Sequence, residues 1–196
     1  MKNPPRVIQV DVKPYDEEQE GLLRGYSKDV SRALDRMIAS PTAIPVSEFL
    51  TYYLLHRKGR KGYRSLAEIQ KRTAAAKGSL DQIVDYEHGS IYVAEGDYGL
   101  PKDVTEHIGE AIGISVVSSI YGLTGADWEP IDVPVVDGVP ARAMVFEVAA
   151  TATQIVQVET KGSAVRTNVL KPSAISKHKA SIEGKKVDYL GNRVTF

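Results

Sequence analysis

Apolar positions along the chain change their spacing several times, and each change marks an element. Residues 7–12 alternate weakly between Pro4, Pro5 and Pro14, which predicts an edge strand. From Asp16 the spacing becomes helical. Leu22, Leu23, Tyr26, Val30, Ala33, Leu34, Met37 and Ile38 share one stripe, with Asp16 as N-cap and Glu17 and Glu18 in the first turn. The run Ser40-Pro41-Thr42-Ala43-Ile44-Pro45 breaks this helix. A second helix is expected from the cap Ser47, carrying Phe49, Leu50, Tyr53 and Leu54. A third, short helix opens at Ser65, where Ser65 and Glu68 have capping-box spacing. Residues 79–95 read as a hairpin turning near His88-Gly89.

Asp103 caps the strongest helical pattern. Val104, Ile108, Ala111, Ile112, Ser115, Val116, Ser119 and Ile120 keep to one face, Glu106 and Glu110 fall off it, and the helix ends near Gly122. Gly109 and Gly113 lie one turn apart, where a backbone can approach closely. Asp127 and Trp128 lead into strand, Trp128 as a core residue. A short strand over 133–139 contains an Asp137-Gly138 turn signal. Two β-rich runs then flank a polar centre from Arg142 to Ser163, which predicts an antiparallel hairpin. A basic helix over 173–186 and a strand over 192–196 close the chain. The pattern divides into a mainly helical part, 1–98, and a helix-strand-strand-strand-helix-strand part, 99–196.

The predicted hairpin carries the candidate chemistry. Alternation places Val145, Glu147 and Ala149 on one face of its first strand, and Ile155, Gln157, Glu159 and Lys161 on one face of its second. A turn centred near Thr153 makes Glu147 and Glu159 direct cross-strand neighbours. Two carboxylates so placed repel, and a divalent cation between them reverses that sign. The Lys161 ammonium points into the same space.

Composition narrows the classes without choosing among them. The 196 residues include 42% hydrophobic and 26% charged, which suits a globular domain. Formal charge is zero, so any basic surface must be local. The absence of cysteine removes disulfides, thiolate nucleophiles and cysteine-bound zinc. No apolar run reaches the length of a membrane span or a signal segment, and a cytoplasmic protein is the expectation. His88 and His107 lack a second histidine at ligand spacing, and there is no P-loop. Ser90 and Ser163 have no adjacent base.

The element order of residues 99–196, with Glu159-Thr160-Lys161 on its third strand, resembles the PD-(D/E)XK, or restriction-endonuclease-like, nucleases. The resemblance implies an α/β core: a four-stranded mixed sheet flanked by helices, here with a helical N-terminal extension. It implies that Glu159 and Lys161 are the acid and lysine of the E-x-K triplet and that Glu110 is the assisting helix glutamate. No Pro-Asp dipeptide precedes the triplet, and the second metal ligand could be Glu147, Asp132 or Asp137. Strand parity favours Glu147.

The activity so implied is phosphodiester hydrolysis with magnesium or manganese held by Glu147 and Glu159, Lys161 stabilising charge on the scissile phosphate or holding the attacking water. Nucleic acid, DNA foremost, is the expected partner. Arg57, Lys58, Arg60 and Lys61 are expected to grip its backbone, together with Lys177 and Lys179 beside Lys171 and His178. A homodimer is left open. The alternative is a catalytically inactive module that binds nucleic acid or acts in protein assembly. On that reading Glu159 and Lys161 are a solvated strand face, and 57–64 is a basic helix end favoured by the helix dipole.

Overall fold

Helix α5 (Lys102–Tyr121) organises the structure, because its sequence offers a side to each of two helical neighbours. In the computed structural model, the described residues are 6–14, 17–55, 65–81, 84–85, 91–93, 102–130, 135–136, 139–140, 144–147 and 155–158, with positions 176 and 180. Along α5, His107, Glu110, Ala111, Ile114, Ser115 and Ser118 are buried at the spacing of a single helix face. α3 (Val46–Leu55) packs against α5, and Phe49, Tyr52, Tyr53 and Leu54 of α3 join Ala111 and Ile114 in the main core. On another side of α5, Ile120 and Val116 meet Val30, Leu34 and Met37 of α2 (Lys28–Ala39) in a second cluster. The buried stripe is therefore rotated from the one expected: Glu110 is inside and Ser119 is exposed.

The single helix expected from Asp16 is two. α1 (Glu17–Tyr26) ends before Ser27, whose backbone is extended (φ −160°, ψ 161°) and whose hydroxyl accepts from the Val30 amide at 3.1 Å. A good N-cap in the middle of a continuous apolar stripe thus starts a second helix. The Arg24 guanidinium then spans the elbow, bonding Glu20 at 2.7 Å and Asp35 at 2.5 Å.

The edge strand β1 (Val7–Val10) pairs antiparallel with β2 (Thr42–Pro45), within the stretch expected only to break a helix. Ile8 and Ile44 face each other in the ladder and both are buried. The Val46 amide donates to the Arg6 carbonyl at 2.9 Å and fixes the start of α3. α4 (Leu66–Asp81) is longer than the short helix expected, although the Ser65 hydroxyl does accept from the Glu68 amide at 3.2 Å. β3 (Val84–Asp85) and β4 (Tyr92–Val93) pair about a centre between His88 and Gly89, as expected. At its C-terminus, α5 closes at Gly122 (φ +69°), and the Leu123 amide donates to the Ser118 carbonyl at 2.9 Å. That is the left-handed closure for which glycine is suited.

Beyond Gly122, β5 (Trp128–Pro130), β8 (Met144–Glu147) and β9 (Ile155–Val158) form a three-stranded antiparallel sheet in that order. β6 (Val135–Val136) and β7 (Val139–Pro140) pair separately across Asp137-Gly138. The expected restriction-endonuclease-like core, a four-stranded mixed sheet between helices, is corrected here. Among the described residues helices predominate, every strand pair is antiparallel, and the largest sheet has three strands. The physical reason lies in α5, whose buried surface packs mainly on α3 and α2 rather than lying across a sheet.

Candidate nucleic-acid interface

The hairpin that carried the expected chemistry is present, but its register differs from the one that sets two glutamates opposite each other. Met144 pairs with Val158 and Glu147 with Ile155. Glu147 thus meets an apolar residue rather than a second carboxylate. Glu159 and Lys161 lie outside the described residues, as do Asp132, Asp137, Arg57, Lys58, Arg60, Lys61, Lys177 and Lys179. Glu110 is buried among the helices on the face of α5 that also holds His107 and Ile114. Among the described residues there is no group of three or more His, Asp or Glu that could hold a metal ion, and the expected ligand Glu159 is not among those residues.

What the structure does bring together on α5 is a polar seam inside the core. Ser118 Oγ accepts from Trp128 Nε1 at 2.9 Å and shares a hydrogen with the Tyr52 hydroxyl at 2.8 Å. The seam thereby ties α3, α5 and β5 at one atom. Burial pushes the Tyr52 phenol up, Glu48 and Asp127 add to the rise, and the Ser118 bond opposes it, so the phenol stays protonated. Three turns before Ser118, the His107 ring stands edge-on to Tyr53, with centroids 6.3 Å apart. Ser115 and Ser118 are sealed from solvent, and neither is open to a substrate as a nucleophile. The seam is structural. Sequence reading placed Ser115 inward but missed Ser118 and His107; their spacing of 11 residues, three helical turns, was the available signal.

Glu48, in the first turn of α3, is half-buried, and burial raises its carboxyl while the Ser115 hydroxyl opposes the rise. The sign follows directly. The native state holds this proton more tightly than the unfolded chain, so Glu48 weakens stability at neutral pH, and the penalty fades as pH falls through the raised value towards 4.5. Glu48→Gln is expected to raise Tm at neutral pH, with the gain shrinking in acid. A gain independent of pH, or a loss at neutral pH, contradicts that account.

No protein-family model, curated protein or solved structure matches the chain.

Two surfaces remain as candidates for a partner. At the elbow of α1 and α2 a groove of about 490 Å³ is lined by Arg24, Gly25, Ser27, Lys28, Ser31 and Arg32. Its arginines are already answered: Arg24 by Glu20 and Asp35, Arg32 by Asp29 at 3.1 Å. α4 is the other. Leu80 anchors its last turn in the core, while Ala67, Lys71, Ala74, Ala75 and Gly78 are exposed at the spacing of one face. That face lies opposite Leu80. Arg72, ion-paired with Glu68, and Lys77 flank it on either side. A Cβ added at Gly78 would meet nothing within 4 Å, so the face is open.

The charge of this region stands apart from the rest of the chain. Residues 56–78 hold eight lysines and arginines against one acid, Glu68, in a protein of zero net charge. The remainder is correspondingly acidic. Among the described residues, no helix is long and apolar enough to cross a membrane.

Proposed function

We propose that the chain is a nucleic-acid-binding module in which residues 56–78 neutralise backbone phosphates. The observation that carries this reading is the concentration of eight cations in a stretch that ends in the exposed helix α4. A nucleic acid carries cations condensed along its phosphates, and a cationic stretch that displaces them gains free energy in proportion to the phosphates contacted. Arg57, Lys58, Arg60 and Lys61 contribute by their charge, and Lys71 and Lys77 extend it along α4. Binding of this kind needs no metal.

Fluorescence anisotropy with labelled DNA and RNA tests the reading. Affinity is expected to fall steeply with salt and to persist when chelator removes divalent cations. Replacing Arg57, Lys58, Arg60 and Lys61 together by glutamine should weaken binding across all sequences and flatten the slope of log K against log salt by about 3 to 4. Salt-insensitive binding, or none, ends the reading. Magnesium-dependent cleavage that chelator stops and Lys161→Ala abolishes would replace it with the nuclease reading.

A further inference from the structure

We infer that the arm carrying β1 and α1 is exchanged between two copies of the chain, with Ser27 as the hinge and α1 running straight into α2 in the exchanged dimer. The inference goes beyond the nucleic-acid reading and does not depend on it.

The junction between the two helices is a single residue. α1 ends at Tyr26 and α2 begins at Lys28, so both neighbours of Ser27 already have helical backbone. Only Ser27 is extended, at φ −160° and ψ 161°. Turning that residue to about −63° and about −42° merges α1 and α2 into one rod of about 34 Å. Gly25, the poorest helix former nearby, is helical in either form.

The apolar pattern suits the rod as well as the bend. Leu23, Tyr26, Val30, Leu34 and Met37 keep to one face straight through position 27, so straightening leaves the stripe intact. Leu22 stands at the margin of that stripe, yet it is 65% exposed in the bent form. In an exchanged dimer the two hinge regions adjoin, and Leu22, close to Ser27 along the helix, gains a surface to pack on.

Exchange conserves what holds the arm to the body. Ile8 pairs with Ile44 in the β1-β2 ladder, Arg24 bonds Asp35 across the elbow, and the Tyr26 ring meets Tyr121 edge-on at 5.2 Å. A second copy presents the same Ile44, Asp35 and Tyr121, so each contact is remade between chains. What changes is the hinge. In the bent form the Ser27 hydroxyl caps the Val30 amide, and the first backbone bond of α2 runs from the Ser31 amide to the Ser27 carbonyl. The rod replaces the cap with backbone bonds from Lys28, Asp29 and Val30 to Arg24, Gly25 and Tyr26. One cap per chain therefore opposes exchange, together with the entropy of association, and protein concentration favours it.

The experiment refolds the full chain from urea at low and at high concentration and reads its mass by light scattering after gel filtration. Wild type is expected to give monomer at low concentration and a separable dimer at high concentration. Losing an N-cap weakens the bent form about fivefold and two elbows straighten per dimer, so Ser27→Ala should raise the association constant by about 25-fold. A Gly-Ser-Gly-Ser insertion after Ser27 interrupts the rod and lets each arm close on its own chain, so that variant should stay monomeric. Hydrogen exchange read by NMR should show the Lys28 and Asp29 amides protected in the dimer and open in the monomer. Monomer alone in wild type and Ser27→Ala, as much dimer with the insertion as without it, or unprotected Lys28 and Asp29 amides in the dimer overturns the exchange. Circular dichroism checks folding, and wild type with the inserted chain decides the matter if Ser27→Ala does not fold.

Discussion

Phe49→Ala is expected to destabilise the chain by about 3–5 kcal/mol, measured by urea denaturation. Phe49 has no exposed surface, and its ring packs 5.8 Å from Tyr53 in the cluster that contains Ile8, Ile44 and Ile114. Deleting it leaves a cavity walled by three elements. α3 cannot simply settle into the gap, because the Val46 amide is bonded to Arg6 and the β1-β2 ladder lies beside it. A domain of ordinary stability, about 5–15 kcal/mol, loses a substantial fraction of it. Leu22→Ala provides the contrast. Leu22 is 65% exposed on α1, and its removal is expected to shift stability by no more than about 0.5 kcal/mol. A Phe49→Ala cost below about 1 kcal/mol would show that this side chain is not enclosed as described.

Ser118→Ala is expected to cost about 2–5 kcal/mol, far more than the loss of one hydroxyl from a helix surface. The reason is not the serine but its partners. The Trp128 indole N–H and the Tyr52 hydroxyl each lose the Ser118 bond, and both side chains are buried. Each buried polar group left without that bond costs about 1–3 kcal/mol. Tyr52→Phe removes one of those groups, so the double variant should be less destabilised than the two single changes added together, by about 0.5–3 kcal/mol. Trp128 is the chain's single tryptophan, and its emission reports the opening of this seam alone. Strict additivity, or an unchanged tryptophan spectrum in Ser118→Ala, would mean that the three side chains do not act as a unit.

Several local features were legible because their causes are local. Gly122 ends α5, Ser65 caps α4, and Asp137-Gly138 sits between the strands of a small hairpin. The turn about His88-Gly89 and the hairpin within 142–163 follow from the same reasoning. Register followed only in part. Alternation constrains which residues share a face, and the observed pairing of β8 with β9 keeps the same parity as the expected one. It moves the centre from Thr153 to Thr151, because Ala149-Ala150-Thr151-Ala152-Thr153 has no glycine, proline or asparagine to pin the turn. That shift separates Glu147 from the position opposite Glu159 and removes the direct opposition that motivated a shared cation. The helix elbow at Ser27 was misread for a related reason, since a continuous apolar stripe concealed a serine that caps a new helix.

By itself, then, the amino-acid order determined where most helices and turns lie and where cations concentrate, since caps, glycines and charge density act within a few residues. Only the tertiary structure decided which sides of α5 are buried, that Glu110, His107 and Ser118 lie inside, and that α4 turns a small-residue face outward. A helix's periodicity shows that it has an apolar side. Which neighbours cover that side, and how many of them there are, depends on contacts between residues far apart in the chain, as when Tyr52 meets Ser118.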